Sequence, residues 1–324
     1  MYRTIMVPTD GSGFDREAIR VALRIAERSQ AVVRLVRVQC TGEFFGRESS
    51  PDATSVSATI LQQERDRILI ELANLAAECR KTSEAKIRVA LEDGPVSDAL
   101  ATYAIRNHVD IIVISSHGRG GIARLSLGSV TDSLIRHTQI PVLVIKPHAS
   151  YLSPGADEIF RLIIVPLDGS SLAEQILPEV VALAKLDNAR LTLLTVLGPG
   201  TSSQSAISDQ RAPLPDKDIV GAQAYLYRIA AQLHVQGCLT TTHIEIGENI
   251  PQVIGNYARN VRADLVAIAT HGRGGISRVL HGSVADVVTR TGITSMLVFR
   301  PLRVAEEKLP ANMLRRPDGI PVIA

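Results

Sequence analysis

Short continuous apolar runs alternate along this chain with longer stretches in which apolar residues recur every third or fourth position, which is the rhythm of strand followed by helix. Thr4-Ile5-Met6-Val7 reads as a buried strand, closed by the turn residues Pro8-Thr9-Asp10-Gly11-Ser12. Ser12 followed by Asp15 has the spacing of a capping box, and Ile19, Ala22, Leu23 and Ala26 then share one helical face. Residues 31–38 form a valine-rich second strand, and the polar stretch 40–55 reads as a loop beside the ligand site. The spacing predicts a long helix over 56–81 with Ile60, Ile68, Leu72, Leu75 and Ala76 turned inward. A third strand over 87–91, a helix over 96–107 and a fourth strand over 110–115 follow. The fourth is apolar without alternation, as a parallel strand buried on both faces is. A helix over 129–137 and a fifth strand over 142–145 complete the first set.

The second half repeats this programme. Leu162-Ile-Ile-Val-Pro-Leu-Asp-Gly-Ser matches residues 4–12 at an offset of 158 (162 minus 4), and His271-Gly-Arg-Gly-Gly matches His117-Gly-Arg-Gly-Gly at 154 (271 minus 117). A repeat this long is a duplicated domain. The expected fold is α/β: two tandem doubly wound domains, each with a five-stranded, mostly parallel sheet flanked by helices. The first spans 1–147, a linker 148–158, the second 159–303, and a tail 304–324. The length difference between the halves falls in the Gly-, Ser- and Pro-containing stretch 198–216, and the tail reads as an extended arm or as disorder.

Composition narrows the field. Hydrophobic residues are 45% and charged residues 21%, as in ordinary soluble domains. A net charge of +2 and a 3% aromatic content without Trp argue against nucleic acid as a partner. Cys40, Cys79 and Cys238 lie far apart, so reduced thiols are expected rather than a zinc site or a disulfide framework. The chain starts almost at once with a strand, and no apolar run approaches the ~18 residues of a membrane span, so a cytoplasmic protein is expected.

The candidate chemistry sits in the stretch after the fourth strand. Gly118, Gly120 and Gly121 allow a close backbone approach, and Gly128-Ser129 opens a helix whose first N–H groups and dipole favour an anion. A phosphate is the ligand this implies. Asp10 and Asp168 end the first strand of each half, where an open α/β sheet holds its ligand, and each can accept a hydrogen bond from a base or ribose. The alternative is that each Asp caps its own turn. Arg119, Arg124, Arg273 and Arg278 could neutralise phosphate charge or form a solvated basic face. His117 and His271 precede the loop glycines, either as phosphate contacts or as backbone-orienting groups. The loop is neither Walker A nor a Rossmann fingerprint, and no catalytic constellation or protein-built metal site is assembled by the spacing.

Val-Pro-x-Asp-Gly-Ser on the first strand, with a G-x-x-G-x9-G-S loop after the fourth, resembles the universal stress protein family in a tandem two-domain form. The resemblance implies adenine-nucleotide binding. The family's adenine contacts carry over to Asp10 and Val38 and to Asp168 and Val196. Its ribose and phosphate contacts carry over to Gly118, Gly128 and Ser129 and to Gly272, Gly282 and Ser283, with Arg119 and Arg273 beside them. This chain has Ser115 and Ala269 where the motif has its first glycine. ATP, ADP or AMP is the implied cofactor, with Mg²⁺ arriving only on the phosphates.

These features make a nucleotide-dependent switch the expected function in a stress-response protein, with a slow ATPase or self-phosphorylating enzyme and a scaffold with vestigial sites as the alternatives. Hydrolysis is expected to be slow or absent, since no base is recognisable near the phosphate donors. The fifth strands, 142–145 and 296–299, are short, apolar and late in each half, hence sheet edges that need covering. They are expected to pair with each other, as the resemblance implies, giving a pseudo-twofold monomer; a homodimer of such chains stays open.

Overall fold

The computed structural model describes residues 1–39, 51–116, 128–146, 158–198, 216–270 and 294–300, with backbone alone at 51–59 and 216–217. The glycine loops, the linker, the stretch 199–215 and the tail lie outside the described residues.

The first half runs β1 (Thr4–Pro8), α1 (Arg16–Ser29), β2 (Val32–Gln39), α2 (Pro51–Thr82), β3 (Lys86–Asp93), α3 (Val96–Arg106), β4 (Ile111–Ser115), α4 (Ser129–His137) and β5 (Val142–Ile145). The second runs β6 (Leu162–Pro166), α5 (Ser171–Glu174), α6 (Leu177–Asp187), β7 (Arg190–Leu197), α7 (Asp216–Val235), β8 (Thr240–Ile246), α8 (Ile250–Asn260), β9 (Leu265–Ala269) and β10 (Ser295–Phe299). Pro178, at the start of α6, lacks an N–H and explains why the second half has a short α5 and a separate α6 where the first has the single helix α1.

All ten strands form one sheet in the order β3-β2-β1-β4-β5-β10-β9-β6-β7-β8. Pairing within each half is parallel, and the two halves meet where β5 and β10 pair antiparallel, with Val144, Leu143 and Val142 opposite Met296, Leu297 and Val298. The expected contact between the fifth strands is therefore present, and it turns two five-stranded sheets into one.

Alternation along each strand divides the core into two layers. Ile5, Val7, Ile111, Val113, Leu143, Ile145 and Leu297 pack under α1, α2, α6 and α7, while Met6, Ile112, Val142, Val144, Met296 and Val298 pack under α3, α4 and α8. The inward faces read from periodicity hold at Ile19, Ala22, Leu23, Ala26, Ile68, Leu72 and Ala76, all buried.

Three local expectations are corrected. Ser12 does not cap α1: Asp15 occupies the N-cap, and its carboxylate takes the Thr9 hydroxyl instead of reaching back to Ser12. The positive-φ glycines Gly11 and Gly13 extend the turn before the helix begins. Ile60 is not inward but 46% exposed, and helix covers 51–55, where the sequence suggested loop. A helix of 32 residues is about 48 Å long, whereas the eight-residue strand β3 spans about 26 Å, so α2 overhangs the sheet it covers.

At the amino-terminal edge of the sheet one carboxylate anchors each half. Asp110 Oδ2 accepts from the N–H groups of Arg3 (2.6 Å) and Thr4 (2.8 Å), and Asp264 Oδ2 accepts from those of Arg161 (2.8 Å) and Leu162 (3.0 Å). Beside the seam α1 meets α6, where Arg28 pairs with Asp187 and the Tyr2 hydroxyl donates to Glu179 Oε2 at 3.5 Å. No helix among the described residues is long and apolar enough to cross a membrane. Cys79 and Cys238 are free and buried.

Candidate functional site

The strand order reverses between β1 and β4, and again between β6 and β9, because the chain leaves β1 toward β2 on one side and returns to β4 on the other. The crevice at the carboxyl ends of these strands is where an open α/β sheet takes a ligand.

Strand register sets what lines it. Pro8 lies opposite Val36, and Thr9 N–H donates to Val36 O at 2.9 Å, so two residues further Asp10 stands level with Val38. In the second half Pro166 lies opposite Leu194, and Leu167 N–H donates to Leu194 O at 2.8 Å, which brings Asp168 level with Val196. Val38 and Val196 are half-buried and pack on the α3/α8 layer. On the other side of β1, the register that sets Met6 opposite Ile112 brings Thr9 level with Ser115; in β6 and β9 it brings Leu167 level with Ala269.

Both aspartates fold their own turns. Asp10 Oδ1 accepts from Ser12 N–H at 2.8 Å. Asp168 Oδ1 accepts from Ser170 N–H at 3.0 Å and from its hydroxyl at 2.6 Å, and Ser170 Oγ in turn caps α5 by accepting from Ala173 N–H at 3.1 Å. The turn-capping role is thus present in each half. At Asp168 it uses one carboxylate oxygen, and Oδ2 has no hydrogen bond among the described residues.

Ser115 ends β4 with its carbonyl accepting from Thr131 Oγ1 at 3.4 Å, while its own hydroxyl is buried without a hydrogen-bond partner among the described residues. Ala269, the counterpart, is half-buried against the core. Gly128 is the N-cap of α4, and its N–H donates to Ser116 O at 3.3 Å, so it is not among the open donors. The first helical bond runs from Asp132 N–H to Gly128 O, leaving the N–H groups of Ser129, Val130 and Thr131 without a helical carbonyl to bond. Ser129 is exposed. Among the described residues, a Cβ on Gly128 would meet Ser116 O at 3.8 Å and Thr131 Oγ1 at 3.9 Å. A helix N-terminus with these N–H groups suits an anionic ligand. Gly118, Arg119, Gly272, Arg273, Gly282 and Ser283 lie outside the described residues, as do Arg124, Arg278, His117 and His271.

The structure adds one residue that the sequence reading passed over. Arg37 is buried at the end of β2, and its guanidinium lies over Gly11, where a Cβ would come within 2.1 Å of Nη2. Gly11 also has φ of 74°, which favours glycine there, and any Cβ would have to displace the Arg37 guanidinium. Arg37 Nη1 bonds Glu71 Oε2 at 2.7 Å, which holds that carboxyl below its usual range. The signal was an arginine at an inward position of Val32–Gln39. The second half has Thr195 in its place, donating to Leu167 O at 2.9 Å.

Comparison with known proteins gives a consistent answer. The universal stress protein family model matches residues 1–146 and again 160–300. A universal stress protein of Methanocaldococcus jannaschii is 30% identical over 146 residues, covering 45% of this chain and 83% of that protein. One from Mycobacterium tuberculosis is 24% identical over 316 residues, 91% of this chain and 94% of the relative. The crystal structure of a universal stress protein from Archaeoglobus fulgidus shares the fold with a TM-score of 0.64 at 16% identity, covering 92% of this chain and 96% of that one. The chain therefore belongs to the universal stress protein family, carries two of its domains in tandem, and shares the family's general role in stress response.

Proposed function

We propose that each half binds an adenine nucleotide across the carboxyl ends of its strands, and that the protein acts as a nucleotide-dependent switch. The observation that carries this reading is the register that levels Asp10 with Val38 and Thr9 with Ser115 at the point where strand order reverses, below the open N–H groups of α4. Val38 offers an apolar surface to a base, and a carboxylate beside it can accept from an exocyclic amine. The helix N-terminus takes phosphate through N–H groups and dipole. Ser115 stands where the motif has a glycine, and its hydroxyl, without a partner among the described residues, can serve the ribose or phosphate. Asp168, Val196 and Ala269 repeat the set in the second half. Gly118, Gly272, Gly282 and Ser283 would serve the ribose and phosphates by the motif, with Arg119 and Arg273 placed to neutralise phosphate charge. Mg²⁺ would come only with the nucleotide phosphates, where it would offset their charge.

The test is the mass of any ligand released when the purified protein is denatured, followed by calorimetric titration of the stripped protein with ATP. Two equivalents of adenine nucleotide support the reading. A stripped protein that binds no ATP, ADP or AMP defeats it.

A further inference from the structure

The turn that presents Asp10 is held differently from the turn that presents Asp168. In the second half α5 begins at Ser171 and Ser170 caps it, so the turn is tied down by its own neighbours. In the first half α1 begins only at Arg16, Ser12 makes no such cap, and the turn carries two positive-φ glycines, Gly11 and Gly13. Asp10 holds Ser12 N–H, but Gly11 N–H reaches Thr9 Oγ1 only at 3.3 Å and Phe14 N–H reaches Ser12 Oγ at 3.4 Å. A longer turn with two glycines has more conformations to give up before it can hold a ligand.

Its support comes from β2 and α2. Arg37 and Val38 are neighbours on β2 and so point to opposite faces of the sheet. Val38 packs on the α3 layer, while Arg37 passes behind the turn to α2. Its guanidinium lies against Gly11, with Cζ 2.9 Å and Nη1 3.2 Å from the place a Cβ would take, and Nη1 donates to Glu71 Oε2 at 2.7 Å. Glu71 Oε1 also accepts from Arg67 Nε at 3.2 Å, and the buried Ile68 and Leu72 fix this part of α2 on the core. The second half has no counterpart. Thr195 stands in the place of Arg37 and donates to Leu167 O, and Tyr225 stands in the place of Glu71, since 225 minus 71 is the 154-residue offset of the glycine loops. Among the described residues nothing comes within 4 Å of a Cβ built on Gly169. The ion pair that α7 does make, Arg228 to Glu174 at 3.2 Å, grips α5 and not the turn.

Resting on the nucleotide reading above, we propose that Arg37, held by Glu71, is a positioning residue of the first site: it keeps the Gly11 turn in the conformation in which Asp10 meets the base, and it couples that site, but not the second, to α2. The coupling runs both ways. A base that fixes the Asp10 turn also fixes Arg37 and the stretch of α2 that carries Glu71.

The experiment titrates wild type, Arg37→Met and Arg37→Lys with ATP and with GTP. Guanine has a carbonyl oxygen where adenine has its exocyclic amine, so the preference for ATP reports on Asp10, while the phosphates are common to both. Methionine keeps the apolar stem of arginine without the guanidinium. Arg37→Met is expected to weaken ATP about tenfold at one of two sites and to weaken GTP less, so that the preference of that site shrinks. Arg37→Lys, which can still donate to Glu71, should recover part of it. ATP bound at both sites of Arg37→Met with wild-type affinity overturns the proposal, and so does an equal loss of ATP and GTP, which would indicate a general loosening of the domain. If Arg37→Met fails to fold, the wild type decides: ATP should slow amide hydrogen exchange in α2 around Glu71, and exchange there that ATP leaves unchanged overturns the proposal. A wild type that binds no adenine nucleotide refutes the nucleotide reading itself, an outcome distinct from two intact sites in the variant.

Discussion

Leu143 and Leu297 stand directly opposite each other in the antiparallel pairing of β5 with β10, and each holds the same place in its own half, since 297 minus 143 gives the 154-residue offset of the glycine loops. The pseudo-twofold axis therefore passes through this pair. It is an isologous contact of the kind that joins two identical subunits, here made within one chain.

Both leucines are fully buried, so Leu297→Ala removes packing that belongs to both halves. The expected loss is about 2–5 kcal/mol of unfolding free energy, read from a denaturant titration. A loss within about 0.5 kcal/mol, the range of ordinary surface changes, would show that the seam does not stabilise the chain.

Gly128→Asp should leave the fold intact, because among the described residues the new Cβ meets nothing closer than 3.8 Å and Asp is a favoured N-cap. It places a carboxylate where the phosphate would sit. Calorimetry should show ATP stoichiometry falling from two to one with the thermal midpoint unchanged or raised. Two ATP bound with unaltered affinity would move the phosphate away from α4.

Asp110→Ala and Asp264→Ala should each cost about 1–3 kcal/mol, since each leaves two strand N–H groups without their acceptor. They lie in different halves and share no partner, so the double variant should lose close to the sum. A double variant no less stable than either single one would contradict the anchoring role.

Burial pushes the Glu179 carboxyl above its ordinary range, with the nearby Asp110 adding to the rise and the Tyr2 hydrogen bond opposing it. A carboxyl raised in the folded state binds its proton more tightly there. Its contribution to stability is present at acid pH and lost as pH climbs through the folded value. Glu179→Gln keeps an acceptor for the Tyr2 hydroxyl and removes the charge. Its advantage over wild type should be absent near pH 4 and appear by pH 7, as compared by denaturant midpoints at about those two values. An advantage that does not change with pH would assign the effect to packing.

ATP turnover should fall far below the ~10 s⁻¹ of a typical enzyme, because the carboxylates nearest the crevice, Asp10 and Asp168, each hold turn N–H groups through Oδ1. A multiple-turnover phosphate-release assay checks this. A rate of several per second, abolished by Asp10→Asn, would make the protein an enzyme.

The sequence by itself determined the elements and their repetition. Short unbroken apolar runs such as residues 111–114, bounded by turn residues, read as buried strands, and two copies of Val-Pro-x-Asp-Gly-Ser in matching positions read as two copies of one domain. The turn aspartates and the helix opened by Gly128 were legible because turn chemistry is written in adjacent residues, whereas Val38 and Val196 were named only by the family resemblance. Tertiary structure decided what depends on residues far apart in the chain. Ile60 has the helical spacing of a core residue, and only the length of α2 against the sheet leaves it exposed. Arg37 looks like an interruption of a strand until Gly11 is seen beneath it. Periodicity specifies which face of an element is apolar. It does not specify which neighbour that face or edge will meet, because that follows from packing the whole sheet.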